Sequence, residues 1–83
     1  MIPGKLYRSV TYGTQLFEKL KFSKVPFSDG SQYYLLNYFK SIDFETVFMV
    51  IEKIDCFCKI LDANGNIGYI RSNKGDLFAE AIE

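Results

Sequence analysis

The sequence predicts a mainly β fold, a small antiparallel barrel filling one domain over residues 1–83, and three observations carry that reading. Several short apolar runs are bounded by turn residues, an Asn-Gly hairpin joins two of them, and a last short run can return to close the sheet. A chain of 83 residues, 48 % hydrophobic and 24 % charged, is a folded protein with room for a single core. Six Tyr and eight Phe, with no Trp, supply much of its area, because each ring buries more surface than an aliphatic side chain.

Taken in order, KLYRSV after Pro3-Gly4 reads as the opening strand. QLFEKLKF alternates well enough to be the next, with Lys19 and Lys21 on one face and Leu20 and Phe22 on the other. VPFSDGS is a loop. SQYYLLNYFKSI fits neither period cleanly: Tyr34, Leu35, Tyr38 and Ile42 could form a helical stripe, while the composition favours a strand. Strand is the expectation there. ETVFMVIEKI, residues 45–54, is β-branched and aromatic with apolar side chains on both faces, so it reads as a central strand covered on both sides. Ile54-Asp55 links it to a hairpin, giving a three-stranded meander over residues 45–72.

Within that hairpin, Asp62-Ala63-Asn64-Gly65 suits a type I turn followed by a positive-φ glycine, while Asn64-Gly65 alone suits a two-residue type I′ turn. Side-chain facing favours the three-residue loop Ala63–Gly65, which pairs Asp62 with Asn66. Cys56, Cys58, Ile60, Gly68 and Ile70 then share one face, and Phe57, Lys59, Leu61, Ile67, Tyr69 and Arg71 share the other. Asn73-Lys74-Gly75 marks a turn, and LFAEAIE is a closing strand with a short terminal helix as its rival.

Ten basic and ten acidic residues cancel, which removes any global field that would gather nucleic acid or an anionic membrane. MIPGKLYRS lacks the charged start and apolar core of a signal peptide, and no apolar run approaches a membrane span. A soluble, cytoplasmic protein is expected. Cys56 and Cys58, the two cysteines, sit too far apart along a strand for an easy disulfide, and without any His they cannot close a zinc site in one chain. They are expected to be small buried hydrophobes, although two thiols could contribute to a site shared across a dimer. No metal, cofactor or catalytic residue is expected. General base chemistry would fall to scattered carboxylates, Cys58 lacks an identified base, and Gly65 and Gly68 read as turn and packing glycines, not as a phosphate loop.

FMVIEKIDCFCKI followed by NGNIGYIRSN resembles the second half of an SH3 domain, in which an apolar strand ending in an acidic residue leads to paired aromatics and a lysine, then to a Gly-Tyr-Ile-Pro-Ser-Asn run. LYRS is similar to the family's opening Ala-Leu-Tyr strand. The likeness covers residues 4–9 and 45–75, and it implies an SH3-like barrel with a long, aromatic-rich insertion between the first and second core strands. By position, Tyr7 matches the opening-strand tyrosine and Phe57 replaces the platform tryptophan, whereas Arg71 stands where the family's proline belongs and Lys74 where its last tyrosine belongs. The long insertion also lacks the family's acidic run. The resemblance is therefore to the wider set of SH3-like barrels of bacterial and phage proteins, and not to binders of proline-rich peptides.

Three functions follow as expectations. The first is a non-enzymatic protein-interaction module that uses Tyr7, Phe57, Lys59, Tyr69 and Arg71, a mixture of large apolar groups and an arginine. It requires the Phe57 face to be open, and the alternative is that residues 11–41 fold over that face and bury it. The second is a homo-oligomeric structural or assembly protein. The third is a weak nucleic-acid-binding barrel in which Lys19, Lys21 and Lys24 accompany Phe17, Phe22 and Tyr12, with Lys5 and Arg8 nearby.

Overall fold

A computed structural model describes residues 2–10, 13–71 and, for the backbone, 78–80. It is all antiparallel β: β1 (Leu6–Ser9), β2 (Thr14–Phe22), β3 (Tyr33–Ile42), β4 (Val47–Ile54), β5 (Phe57–Asp62), β6 (Ile67–Arg71) and β7 (Phe78–Glu80). They form one sheet in the order β3-β2-β6-β5-β4-β1-β7, compatible with an SH3-like arrangement. Phe78–Glu80 pairs beside β1 as a strand, so the closing element expected in LFAEAIE is present where it is described. The Asn73-Lys74-Gly75 turn, together with Lys74 and Tyr12, lies outside the described residues.

The sheet is curled around its own inner face. Tyr7, Leu16, Ile42, Phe48, Val50, Cys58, Ile60 and Ile70, drawn from six strands, meet in a single buried cluster. A flat single sheet leaves both faces open to solvent, yet Leu16, Val50, Cys58, Ile60 and Ile70 are fully buried with no helix or second sheet among the described residues to cover them. Tyr7 stacks on Phe48 across the β1–β4 ladder, with centroids 6.3 Å apart, and its hydroxyl accepts the Ile2 N–H at 2.6 Å.

The hairpin register is the one the side chains favour. Asp62 N–H donates to the Asn66 carbonyl at 2.9 Å, Gly65 N–H donates to the Asp62 carbonyl at 3.2 Å, and Gly65 has φ 84°. Cys58 then faces Ile70 and Ile60 faces Gly68, all on the core side. Cys56 departs from expectation. It sits with Asp55 in the two-residue turn between β4 and β5, half-buried, instead of continuing the Cys58 face.

β4 corrects its predicted character, whereas β3 is the strand expected of its composition. β4 is central, but it buries one face only: Phe48 and Val50 point inward while Val47 and Ile51 are exposed. A bulge after Val50 shifts the pairing from Val50↔Ile60 to Glu52↔Lys59, so the apolar run does not mean two covered faces. β3 is a strand and not a helix, and its irregular pattern has a cause. Leu16 pairs with Lys40 but Phe17 pairs with Tyr38, which leaves Phe39 as the extra residue of a bulge, and neighbouring Asn37 takes φ 62°. Inward positions are odd-numbered before the bulge and even-numbered after it.

β2 meets β6 through one register pair, Phe17↔Tyr69, where Gly68 faces the β2 backbone. A Cβ on Gly68 would come within 2.7 Å of Leu16 Cγ and Cδ1 and 2.9 Å of the Phe17 carbonyl oxygen, so only glycine permits this approach. Replacing Gly68 with Ala is expected to destabilise the protein by about 1–3 kcal/mol, since the carbonyl cannot yield without moving the strand. A denaturant melt beside wild type checks this, and an unchanged midpoint would show that β2 does not need its close seat.

Candidate functional site

The β2–β3 hairpin begins in the core and leaves it. Leu16 and Ile42 at its base are buried, but from Glu18 onward it extends past β6, and the molecule is accordingly 41 Å long against 22 Å in its other two dimensions. Its tip is a ten-residue loop, 23–32, in which Ser23 N–H donates to the Gln32 carbonyl at 2.6 Å and Gly30 N–H to the Phe27 carbonyl at 2.9 Å. We call this hairpin the arm.

The arm's base is fixed by Asp62, the last residue of β5. One carboxylate oxygen accepts the Asn64 and Asn66 N–H groups at 2.9 and 2.8 Å, and the other accepts Asn66 Nδ2 and Lys40 Nζ, both at 3.1 Å. Burial alone would raise its pKa, but the hydrogen bonds from the Asn66 backbone, the Asn66 side chain, Lys40 and the Asn64 backbone outweigh it and hold the group below the usual 3.8.

Outward-facing side chains form a lateral row across five strands. The register pairs Tyr38↔Phe17, Phe17↔Tyr69, Tyr69↔Lys59 and Lys59↔Glu52 place these five residues side by side on one face. Phe17 and Tyr38 meet edge to face at 5.9 Å. Two residues along, a second row holds Leu36 and Lys19 on the arm and Ile67, Leu61 and Met49 on the sheet. Beyond that come Tyr34 and Lys21, with Phe27 of the tip edge-on to Tyr34 at 5.9 Å. On the other side of the aromatic row stands Arg71, exposed, its guanidinium carbon 5.3 Å from the Phe57 ring centroid.

This arrangement redistributes the candidate residues. Phe57 is 1 % exposed and Tyr7 7 %, so both are withdrawn from the predicted binding surface. Tyr7 turns inward with Phe48, and Phe57 lies beneath Arg71 with Ile54 as its other lateral neighbour. Residues 13–41 continue the sheet beside β6 instead of folding over it. Lys59 and Tyr69, half-buried, and Arg71, exposed, do share the outer face. Lys19 and Lys21 join them from β2, Lys24 is exposed in the tip loop, and Phe22 projects from the opposite face of the arm. Arg8 is four strands away from β2 in the sheet order.

The sequence reading missed the arm's exposed apolar groups. Large hydrophobic side chains exposed among the described residues are Ile2, Val10, Phe22, Val25, Phe27, Tyr34, Leu36, Tyr38, Phe39, Phe44, Val47, Ile51 and Ile67, and the seven from Phe22 to Phe39 belong to the arm. Val25 reaches 74 % exposure, Phe22 57 % and Tyr38 52 %. Their signal was the doubtful periodicity of residues 31–42. Among the described residues no three His, Cys, Asp or Glu side chains gather as metal ligands, and no helix is long and apolar enough to cross a membrane. Cys58 is buried and Cys56 half-buried, both as free thiols.

Comparison with protein-family models, with curated proteins and with solved structures gave no match to this chain.

Two measurements separate core from surface and test the arm's anchor. Phe57→Ala is expected to lose about 3–5 kcal/mol of stability while Val25→Ala, at the exposed tip, stays within about 0.5 kcal/mol of wild type; equal losses in chemical denaturation would contradict the burial described. Because the folded pKa of Asp62 lies below its unfolded value, its contribution is complete above about pH 4 and is lost as pH falls through the folded pKa. Asp62→Asn should therefore lower the melting temperature at pH 7 and flatten the acid limb of the stability curve; parallel curves for variant and wild type would refute the assignment.

Proposed function

We propose that the protein is a non-enzymatic interaction module that binds a protein partner through the arm and the outer face continuous with it. One observation carries this reading: the concentration of exposed large apolar side chains on a hairpin that stands off the core. Contiguous exposed apolar surface on a small protein marks contact with another molecule more often than it occurs idly. Tyr and Phe on a backbone already fixed by pairing give up little conformational freedom on binding, which suits them to be anchors. The strand that returns beside β1 and the single core ringed by six strands support an SH3-like barrel as the scaffold. The arm is then the aromatic-rich insertion, projecting from that barrel. Two free thiols accord with a reducing cytoplasmic setting, and an accessory role in a bacterium or phage belongs to the same reading.

A second copy of the chain is the competing occupant, favoured by the same surplus of apolar area. Joining through the free edge of β3 is opposed by the structure, however. The Ser31 hydroxyl donates to the Tyr33 carbonyl and accepts from the Tyr33 N–H, both at 3.2 Å, and the bulge with left-handed Asn37 twists the edge further on.

Affinity capture from a lysate of the source organism tests the reading, with wild-type bait beside a Val25→Ser, Phe27→Ser, Tyr38→Ser variant whose β-sheet circular dichroism matches wild type. A protein held by wild type and lost by the variant is the expected result. Identical captures, or a wild-type dimer in light scattering that the variant dissolves, would replace partner binding with self-assembly.

A further inference from the structure

The charges on the outer face narrow the partner's chemistry. Lys19, Lys21, Lys59 and Arg71 come from three adjacent strands and share that face with Tyr38, Phe17 and Tyr69. None of the four is in an ion pair among the described residues, where the pairing shown is Lys40 with Asp62. Carboxylates are placed elsewhere. Asp62 is buried, Asp43, Glu45 and Asp55 sit in turns, Asp29 is at the tip, and Glu18 alternates with Phe17 onto the opposite face of β2. Only Glu52, at the far end of the aromatic row beside Lys59, brings a negative charge onto the described outer face. A chain of zero net charge thus presents one face that is locally positive and largely apolar.

We propose that this face takes an acidic polypeptide segment bearing aromatic or aliphatic residues, its apolar side chains on the Tyr38–Phe17–Tyr69 row and its carboxylates on Lys19, Lys21 and Arg71. The inference rests on the arm being the binding element and adds the charge of what it binds. Lys19 and Lys21, two residues apart on one strand, are spaced by about 6.8 Å, the same spacing as alternate residues of an extended peptide. Complementary charge of this kind selects partners and speeds their encounter. Single-stranded nucleic acid fits the face less well. The row beside the aromatics is aliphatic, Leu36, Ile67, Leu61 and Met49, which offers stacking to no base. Lys59 also has Glu52 as its lateral neighbour, leaving three cations clear of a carboxylate among the described residues, few for phosphate binding at physiological salt.

The test pans a displayed library of random dodecapeptides against the folded protein and against a Lys19→Glu, Lys21→Glu variant, and measures labelled dT12 by fluorescence anisotropy in parallel. Enriched peptides are expected to be net negative with aromatic or large aliphatic residues. A synthetic copy of the leading peptide should bind the variant about tenfold more weakly, and bind wild type more weakly as salt is raised. Neutral or basic winners that need the arm would overturn the acidic partner while leaving arm-mediated binding in place, and enrichment indifferent to both Lys19/Lys21 reversal and the Val25, Phe27, Tyr38 changes would overturn both. Tighter binding of dT12 than of any selected peptide would overturn the inference in favour of nucleic acid.

Discussion

One buried carboxylate holds together the two parts of this molecule. Asp62 closes the β5–β6 turn through the N–H groups of Asn64 and Asn66, and the same side chain draws in Lys40 from β3, three strands away in the sheet order. The turn sets the hairpin register, which in turn decides that Cys58, Ile60 and Ile70 face the core. Lys40 fixes where the arm departs. An isolated ion pair on a surface would contribute little, but here the carboxylate is enclosed and its lone pairs are all engaged, so removing it would strand several donors at once.

The second constraint is a missing atom. Because Gly68 has no Cβ, Leu16 can lie against β6 and carry β2 into the sheet with it. The seat is short, a single register pair, and past Phe17 the arm has only its own two strands to pack against. Aromatic side chains that a longer seat would have buried are left at the surface, stabilised pairwise: Phe17 with Tyr38, Phe22 with Tyr33, Phe27 with Tyr34. Edge-to-face pairs of this kind each contribute about 0.5–1.5 kcal/mol beyond burial, enough to order a hairpin that has no core beneath it.

Much of the fold was legible because local signals agreed. In the β5–β6 hairpin the turn residues, the alternation and the glycine all point to one register, and the structure has that register. β3 was opaque for a definite reason: the bulge at Phe39 moves inward positions from odd to even numbers, so a single period fails over the segment while each half obeys it. The site was less readable than the fold. Alternation assigned Phe57, Tyr69 and Arg71 to one face correctly, but it carries no information about whether a face is covered at a given point, and Phe57 is buried while Tyr38, uncounted, is open. The lysines of β2 were placed on the right side of their strand; what they stand beside depends on the single pairing Phe17↔Tyr69, which joins segments 52 residues apart and leaves no local trace.

The arm's pairing has a bearing on how the chain acquires its shape. Phe22 pairs with Tyr33, eleven positions on, and the whole β2–β3 ladder lies within residues 14–42. Leu6 must find Met49 and Tyr7 must find Glu80, contacts that span 43 and 73 positions. Ends that meet across such distances carry the larger loop-closure entropy and form late. During synthesis the arm can therefore pair before β4 has been made, whereas the core must wait for nearly the full chain. The arm is thus the element whose local structure owes least to the rest of the molecule.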